Sequence, residues 1–238
     1  MQYGHFLLDL LTFDLGDPTA AHIWYEAALQ PALEAQDEAL AGWLLGGQSL
    51  IPSYSGDHGA ALELVRWGQS HGSRGANVAV QAWLAALEAR GHAGLGDAAA
   101  FRQAQDLANN AVDGTQPDER RHGMDFRRNR LDVTYYEGTS LVTLRQPDAA
   151  RPVLDAALAA QDPGHLKARS IVQLAVATTY TQQREIDQAC AIASQALDLP
   201  ADQRIGPITQ RAQDLLRELE PWRGRPAVED FRERVVAL

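Results

Sequence analysis

The stretch Leu7-Leu8-Asp9-Leu10-Leu11-Thr12-Phe13-Asp14-Leu15-Gly16-Asp17-Pro18-Thr19-Ala20-Ala21 sets an apolar run, a Gly-Asp pair and an alanine-rich run in immediate succession. The pair returns as Gly56-Asp57 and as Gly96-Asp97, each time 40 residues further on. Every copy follows an apolar run and precedes one rich in alanine, as Ala20, Ala21, Tyr25 and Ala28 follow Gly16. Glycine suits the left-handed position that ends a helix, and aspartate can cap the free amides that begin the next. The pattern predicts helix, tight turn, helix. A fixed period of this length points to stacked units, each leaving an apolar side for its neighbour to cover.

The second half keeps the plan and loses the glycine. Gly138, Leu141, Ala150, Leu154 and Ala157 occupy packing offsets that recur as Ala177, Tyr180, Ala189, Ala193 and Ala196, with turns at Gln146-Pro147-Asp148 and Gln183-Arg184-Glu185. Ala157 and Ala196 are 39 residues apart. The expected organisation is one all-α domain over 1–238: three hairpins in 1–112, a polar insertion at 113–130, two hairpins in 131–199 and capping helices in 200–238. A connector from Pro200 to Pro207 leads to an amphipathic helix carrying Leu215, Leu216 and Leu219, and a short last helix turns Val228, Phe231 and Val235 inward.

These offsets resemble the tetratricopeptide repeat family, with a period longer than the family's usual 34. The resemblance implies a right-handed superhelical solenoid of about five hairpins. Three further segments are similar to the C-terminal half of actinobacterial helix-turn-helix regulators of the XRE type. They are Gly164-His165-Leu166-Lys167-Ala168-Arg169-Ser170, Glu185-Ile186-Asp187-Gln188-Ala189-Cys190, and Pro221-Trp222-Arg223-Gly224-Arg225-Pro226-Ala227-Val228 followed by Phe231-Arg232-Glu233-Arg234. Such regulators carry an N-terminal DNA-binding domain, and no such domain is read in these 238 residues. A shortened chain, a natural stand-alone relative and a divergent protein with another role all fit that difference.

Composition narrows the function classes. A formal net charge of −10 argues against a grip on phosphate backbones, which needs clustered cations. A single cysteine, Cys190, leaves neither an intrachain disulfide nor a thiolate cluster, and reads as a small apolar filler. Neither a signal peptide nor a membrane-length apolar run stands out, so a cytoplasmic location and no membrane partner are expected. Lys167 is the only lysine beside 20 arginines, a bias that looks like coding preference in a GC-rich genome.

No catalytic residue, metal ligand or cofactor is read. The histidines are His5, His22, His58, His71, His92, His122 and His165, and no two have the four-residue spacing that sets paired ligands on one helix face. Phosphate-loop and dinucleotide glycine fingerprints are missing too. The string Ser55-Gly56-Asp57-His58 reads as the second unit's turn, because no strand-to-helix elbow exposes a serine there.

Two regions suggest contacts. Arg120, Arg121, Arg127, Arg128 and Arg130 form a candidate patch for a carboxylate or phosphate, with pairing to Asp118, Glu119 and Asp125 as the alternative. Phe6, Leu7, Leu8, Leu10, Leu11 and Phe13 make the first helix apolar around much of its circumference, so Phe6, Leu10 and Phe13 form a candidate homodimer face unless that end stacks differently.

The family resemblance also implies a concave groove lined by the first helix of each hairpin. Carrying its offsets across gives the row Leu10, Leu50, Arg90, Thr139 and Thr178, flanked by Trp43, Trp83, Asp132 and Tyr135 and by Phe13, Ser53, Ala93, Val142 and Thr181. Such a row suits an apolar ligand or peptide with one acidic group facing Arg90. The alternative for Arg90 is an exposed side chain paired with Glu88 or Asp97, and for Trp43 and Trp83 it is packing between hairpins. The expected function is a protein- or ligand-binding module, the effector-sensing or interaction part of a transcriptional regulatory system. A stand-alone scaffold is the alternative, and an enzyme the least favoured.

Overall fold

The computed structural model describes residues 17–75, 78–114 and 126–238. These form eleven α-helices and, among the described residues, no strand. The helices are α1 (Pro18–Glu34), α2 (Glu38–Tyr54), α3 (His58–Gly75), α4 (Val78–Gly94), α5 (Ala98–Gly114), α6 (Phe126–Thr143), α7 (Pro147–Ala160), α8 (Leu166–Gln182), α9 (Ile186–Ala196), α10 (Gly206–Glu218) and α11 (Pro226–Val236). Short 3-10 turns at Ala201–Gln203 and Glu220–Trp222 introduce or follow α10. No helix among the described residues is long and apolar enough to cross a membrane.

The turns follow from residue chemistry. After α2 the chain passes through Gly56 at φ +83°, and after α4 through Gly96 at φ +77°. Asp57 N–H then donates to the Pro52 carbonyl and Asp97 N–H to the His92 carbonyl, both at 2.9 Å, satisfying carbonyls the helix end leaves free. The aspartates cap the following helices: Asp57 Oδ1 accepts from Ala60 N–H at 3.0 Å, and Asp97 Oδ1 from Ala100 N–H at 3.0 Å. Asp17 and Asp37 cap α1 and α2 in the same way, at 2.9 and 3.0 Å.

The same backbone bonds recur where glycine is replaced. Gln36, Arg145 and Arg184 hold φ of 54°, 57° and 65°, and the residues after them, Asp37, Gln146 and Glu185, donate back at 2.9 Å to Ala32, Leu141 and Tyr180. A side chain in this conformation costs about 1 kcal/mol, so stacking must outweigh the turn's own preference. Gly56 and Gly96 have open space where a Cβ would stand, so Gly56→Ala and Gly96→Ala are each expected to lose about 1–2 kcal/mol from the backbone alone. Arg184→Gly is expected to gain up to about 1 kcal/mol. Urea denaturation midpoints read both signs, and no change at all three positions would contradict this account of the turns.

Each pair α2–α3, α4–α5, α6–α7 and α8–α9 packs within itself, and the first helix of each pair also packs on the first helix of the next, from α2 to α4, α6 and α8. The C-terminal helices continue this order: α10 lies on α8, and α11 on α9. Ile208, Ala212 and Leu215 of α10, Leu219 just after it, and Val228, Phe231 and Val235 of α11 are buried.

Small residues set how close the helices come. A Cβ on Gly138 would lie 2.6 Å from Leu154 Cδ2, so α6 and α7 touch through backbone and a leucine side chain. Gly46 and Gly47, adjacent in mid α2, face opposite neighbours: a Cβ on the first would lie 2.5 Å from the Trp83 ring, and on the second 2.6 Å from the Tyr25 hydroxyl. Mid-helix glycines cost about 1 kcal/mol each relative to alanine, and here they seat two rings.

Candidate ligand cavity

Five helices direct side chains to one place. The start of α3, together with α4, α6, α8 and α10, surrounds a cavity of about 180 Å³. Its wall includes Arg90, Thr139 and Thr178, three residues of the central groove row, together with His58, Ser140 and Arg211.

Arg90 is fixed by hydroxyl and ring rather than by the carboxylates its sequence neighbourhood suggested. Its Nε–H donates to Ser53 Oγ at 3.0 Å, and its guanidinium carbon stands 4.7 Å from the Tyr54 ring centroid and 5.7 Å from that of Tyr136. Glu88 instead accepts from Gln69 at 2.7 Å, and Asp97 caps α5. Arg211 donates from Nη2 to the Tyr135 hydroxyl at 2.7 Å. The charges of both guanidiniums also act on the Tyr54 phenol. Burial pushes that phenol up, but the two positive charges outweigh it, and its pKa falls below the usual tyrosine value. Tyr135 and Tyr136 move the other way, with burial the main cause.

The remaining polar groups differ in what they have left to offer. Thr139 donates to the Tyr135 carbonyl at 3.0 Å and Thr178 to the Leu174 carbonyl at 2.9 Å, so both hydroxyl protons are committed to their own helices. Ser140, 2% exposed, has a buried Oγ without a hydrogen-bond partner. Arg211 Nε and His58 Nδ1 are buried and partnerless as well. Such groups are uncommon in folded proteins, because each forfeits its bonds to water. His58 owes its place to Gly94, where a Cβ would fall 2.4 Å from the imidazole. Burial, followed by the Arg90 charge, lowers the His58 pKa, with Asp57 opposing, so the ring is held toward its neutral form.

Two acidic groups, Asp214 and Glu218, share this lining, and the Asp214 charge acts on Arg211. Glu218 pairs with Arg145 at 3.2 Å, and Asp214 contacts Arg217 and accepts from Gln210 at 2.8 Å. The other wall is apolar, formed by Val142, Leu174, Ala175 and Leu215.

Sequence-based candidates thus separate into groups. Arg90, Thr139 and Thr178 line the cavity, while Ser53 and Tyr135 stand behind it as hydrogen-bond partners of its two arginines. Trp43, Leu50 and Trp83 are buried in the core, where the two indoles stack with centroids 6.2 Å apart. Phe6, Leu10, Phe13, Arg120 and Arg121 lie outside the described residues, as do the side chains of Arg127, Arg128 and Arg130. His58, Ser140 and Arg211 were not singled out as site residues. Cys190 is buried, and burial pushes its thiol up to about 11. Among the described residues no cluster of three or more His, Cys, Asp or Glu could hold a metal ion. No protein-family model matches the chain, and the comparison with curated proteins returned no match.

Proposed function

We propose that the chain is a tetratricopeptide-type solenoid that binds a small molecule or a peptide end in this cavity, and that it serves as the effector-sensing or interaction part of a transcriptional regulatory system. The observation that carries the binding reading is the cavity itself, whose lining joins two arginines and apolar side chains to residues that hold polar atoms without partners. Orphaned polar groups in a concave, half-apolar site are what a ligand satisfies. The solenoid reading draws on the 40-residue period and on the packing of each first helix against the next. The regulatory role rests on the resemblance of the segments beginning at Gly164, Glu185 and Pro221 to regulator C-terminal halves.

A thermal-shift screen of metabolites and short peptides tests the binding reading, since a ligand that binds the native state stabilises it by mass action. Ligands that raise the melting temperature of the wild-type protein are expected to lose at least about tenfold in affinity with Arg90→Gln, a change of roughly 1.4 kcal/mol. Circular dichroism confirms that the variant keeps its helices. A screen whose ligands bind wild type and variant equally would place binding elsewhere.

A further inference from the structure

We infer that the group this cavity recognises is a single carboxylate on a short apolar body, either a small free acid or the carboxyl end of a peptide; the inference rests on the binding reading above. Charge gives the sign. Arg90 and Arg211 donate to neutral hydroxyls, whereas Glu218 and Asp214 of the same lining are paired with Arg145 and Arg217. The two guanidiniums line one cavity, and the rings they face, Tyr136 and Tyr135, have centroids 5.3 Å apart, so both can address one anion. An arginine fork suits the planar carboxylate, which accepts two parallel bonds.

Two residues of the lining also hold unused donors. Arg211 Nε–H and the Ser140 hydroxyl are buried without acceptors, and a carboxylate has the lone pairs both require. Thr139 and Thr178, with their protons committed, add no donor.

The rest of the wall favours a monoanion with an apolar tail over phosphate. Val142, Leu174, Ala175 and Leu215 offer nothing to further oxygens. Volume sets the scale: a cavity of roughly 150 Å³ accepts benzene, so about 180 Å³ takes a compact acid of similar size.

Isothermal titration of the wild-type protein with 3-methylbutanoate and with 3-methylbutanamide separates charge from shape. The acid is expected to bind at least tenfold more tightly than the amide. Arg211→Met and Ser140→Ala should each weaken the acid and leave the amide nearly unchanged. The tripeptide Ala-Ala-Leu with a free carboxyl end, set against its C-terminal amide, forms the second arm. A discriminating peptide pair assigns the site to peptide ends, and discrimination by the small pair alone assigns it to free acids; either supports a carboxylate seat. Inorganic phosphate is expected not to displace the acid. Equal binding of acid and amide, or displacement by phosphate at comparable concentration, overturns the carboxylate assignment and leaves a binding cavity of other chemistry. No binding by any of these probes also overturns it, and if the wider screen yields no Arg90-dependent ligand, the binding reading falls with it.

Discussion

Phe231→Ala is expected to remove about 3–5 kcal/mol of stability, the usual cost of deleting a fully buried aromatic ring. Phe231 is 0% exposed and shares one cluster with Ile186, Cys190, Ala193, Ile208 and Leu215. Its ring thereby joins α11 to α9 and α10. Because helices pack mainly on their neighbours along the chain, the loss should be local at first. Hydrogen exchange is expected to accelerate most in α9 to α11 and least in α2 to α4. Uniform acceleration across the chain would show one cooperative unit instead. The same variant should weaken any cavity ligand, since α10 carries Arg211.

A second large effect belongs to the contact between Trp83 and Gly46. Trp83→Ala is expected to cost about 3–5 kcal/mol, because the indole is 6% exposed and stacked on Trp43. Gly46→Ala alone should cost about 1–3 kcal/mol by overpacking, since its methyl group would stand 2.5 Å from the ring. In the Trp83→Ala background the cost should shrink, because the ring contact is gone and the helix gains about 1 kcal/mol from losing a glycine, with Leu84 Cδ2 at 2.9 Å the contact that remains. Chemical denaturation of the four proteins closes this double-mutant cycle. Additive effects would mean that Gly46 is there for some reason other than the ring.

The turns were the most legible part of the fold. Left-handed geometry and amide capping are local demands, so Gly56-Asp57 and Gly96-Asp97 announce themselves in sequence. Gln36, Arg145 and Arg184 adopt the same backbone without the residue that advertises it, because packing on both sides overrides local preference. The Gln36 turn left no readable glycine signal.

Part of the cavity was legible for a related reason. Arg90, Thr139 and Thr178 stand at matching offsets on successive first helices, so the row could be drawn once the repeat was known. That row could not distinguish the cavity wall from the core, and Leu50 on the same offset is buried. Nor could it reach Arg211, because the connector from Pro200 to Pro207 breaks the period before α10 begins. His58 was read as part of a turn, and its meeting with Arg90 depends on the space left by Gly94, a tertiary fact that no local pattern records.

Arg90 and Arg211 are separated by more than a hundred residues of chain, and that distance has a temporal side. Hairpins that pack on their sequence neighbours can fold in the order in which they leave the ribosome. The wall bearing Arg90, Thr139 and Thr178 is then in place while α10 is still being made, and the cavity stays open on that side until Arg211 arrives. The proposed site would then be complete only once α10 is in place: a chain halted near Pro200 would keep the four hairpins of the described residues and lack the second guanidinium.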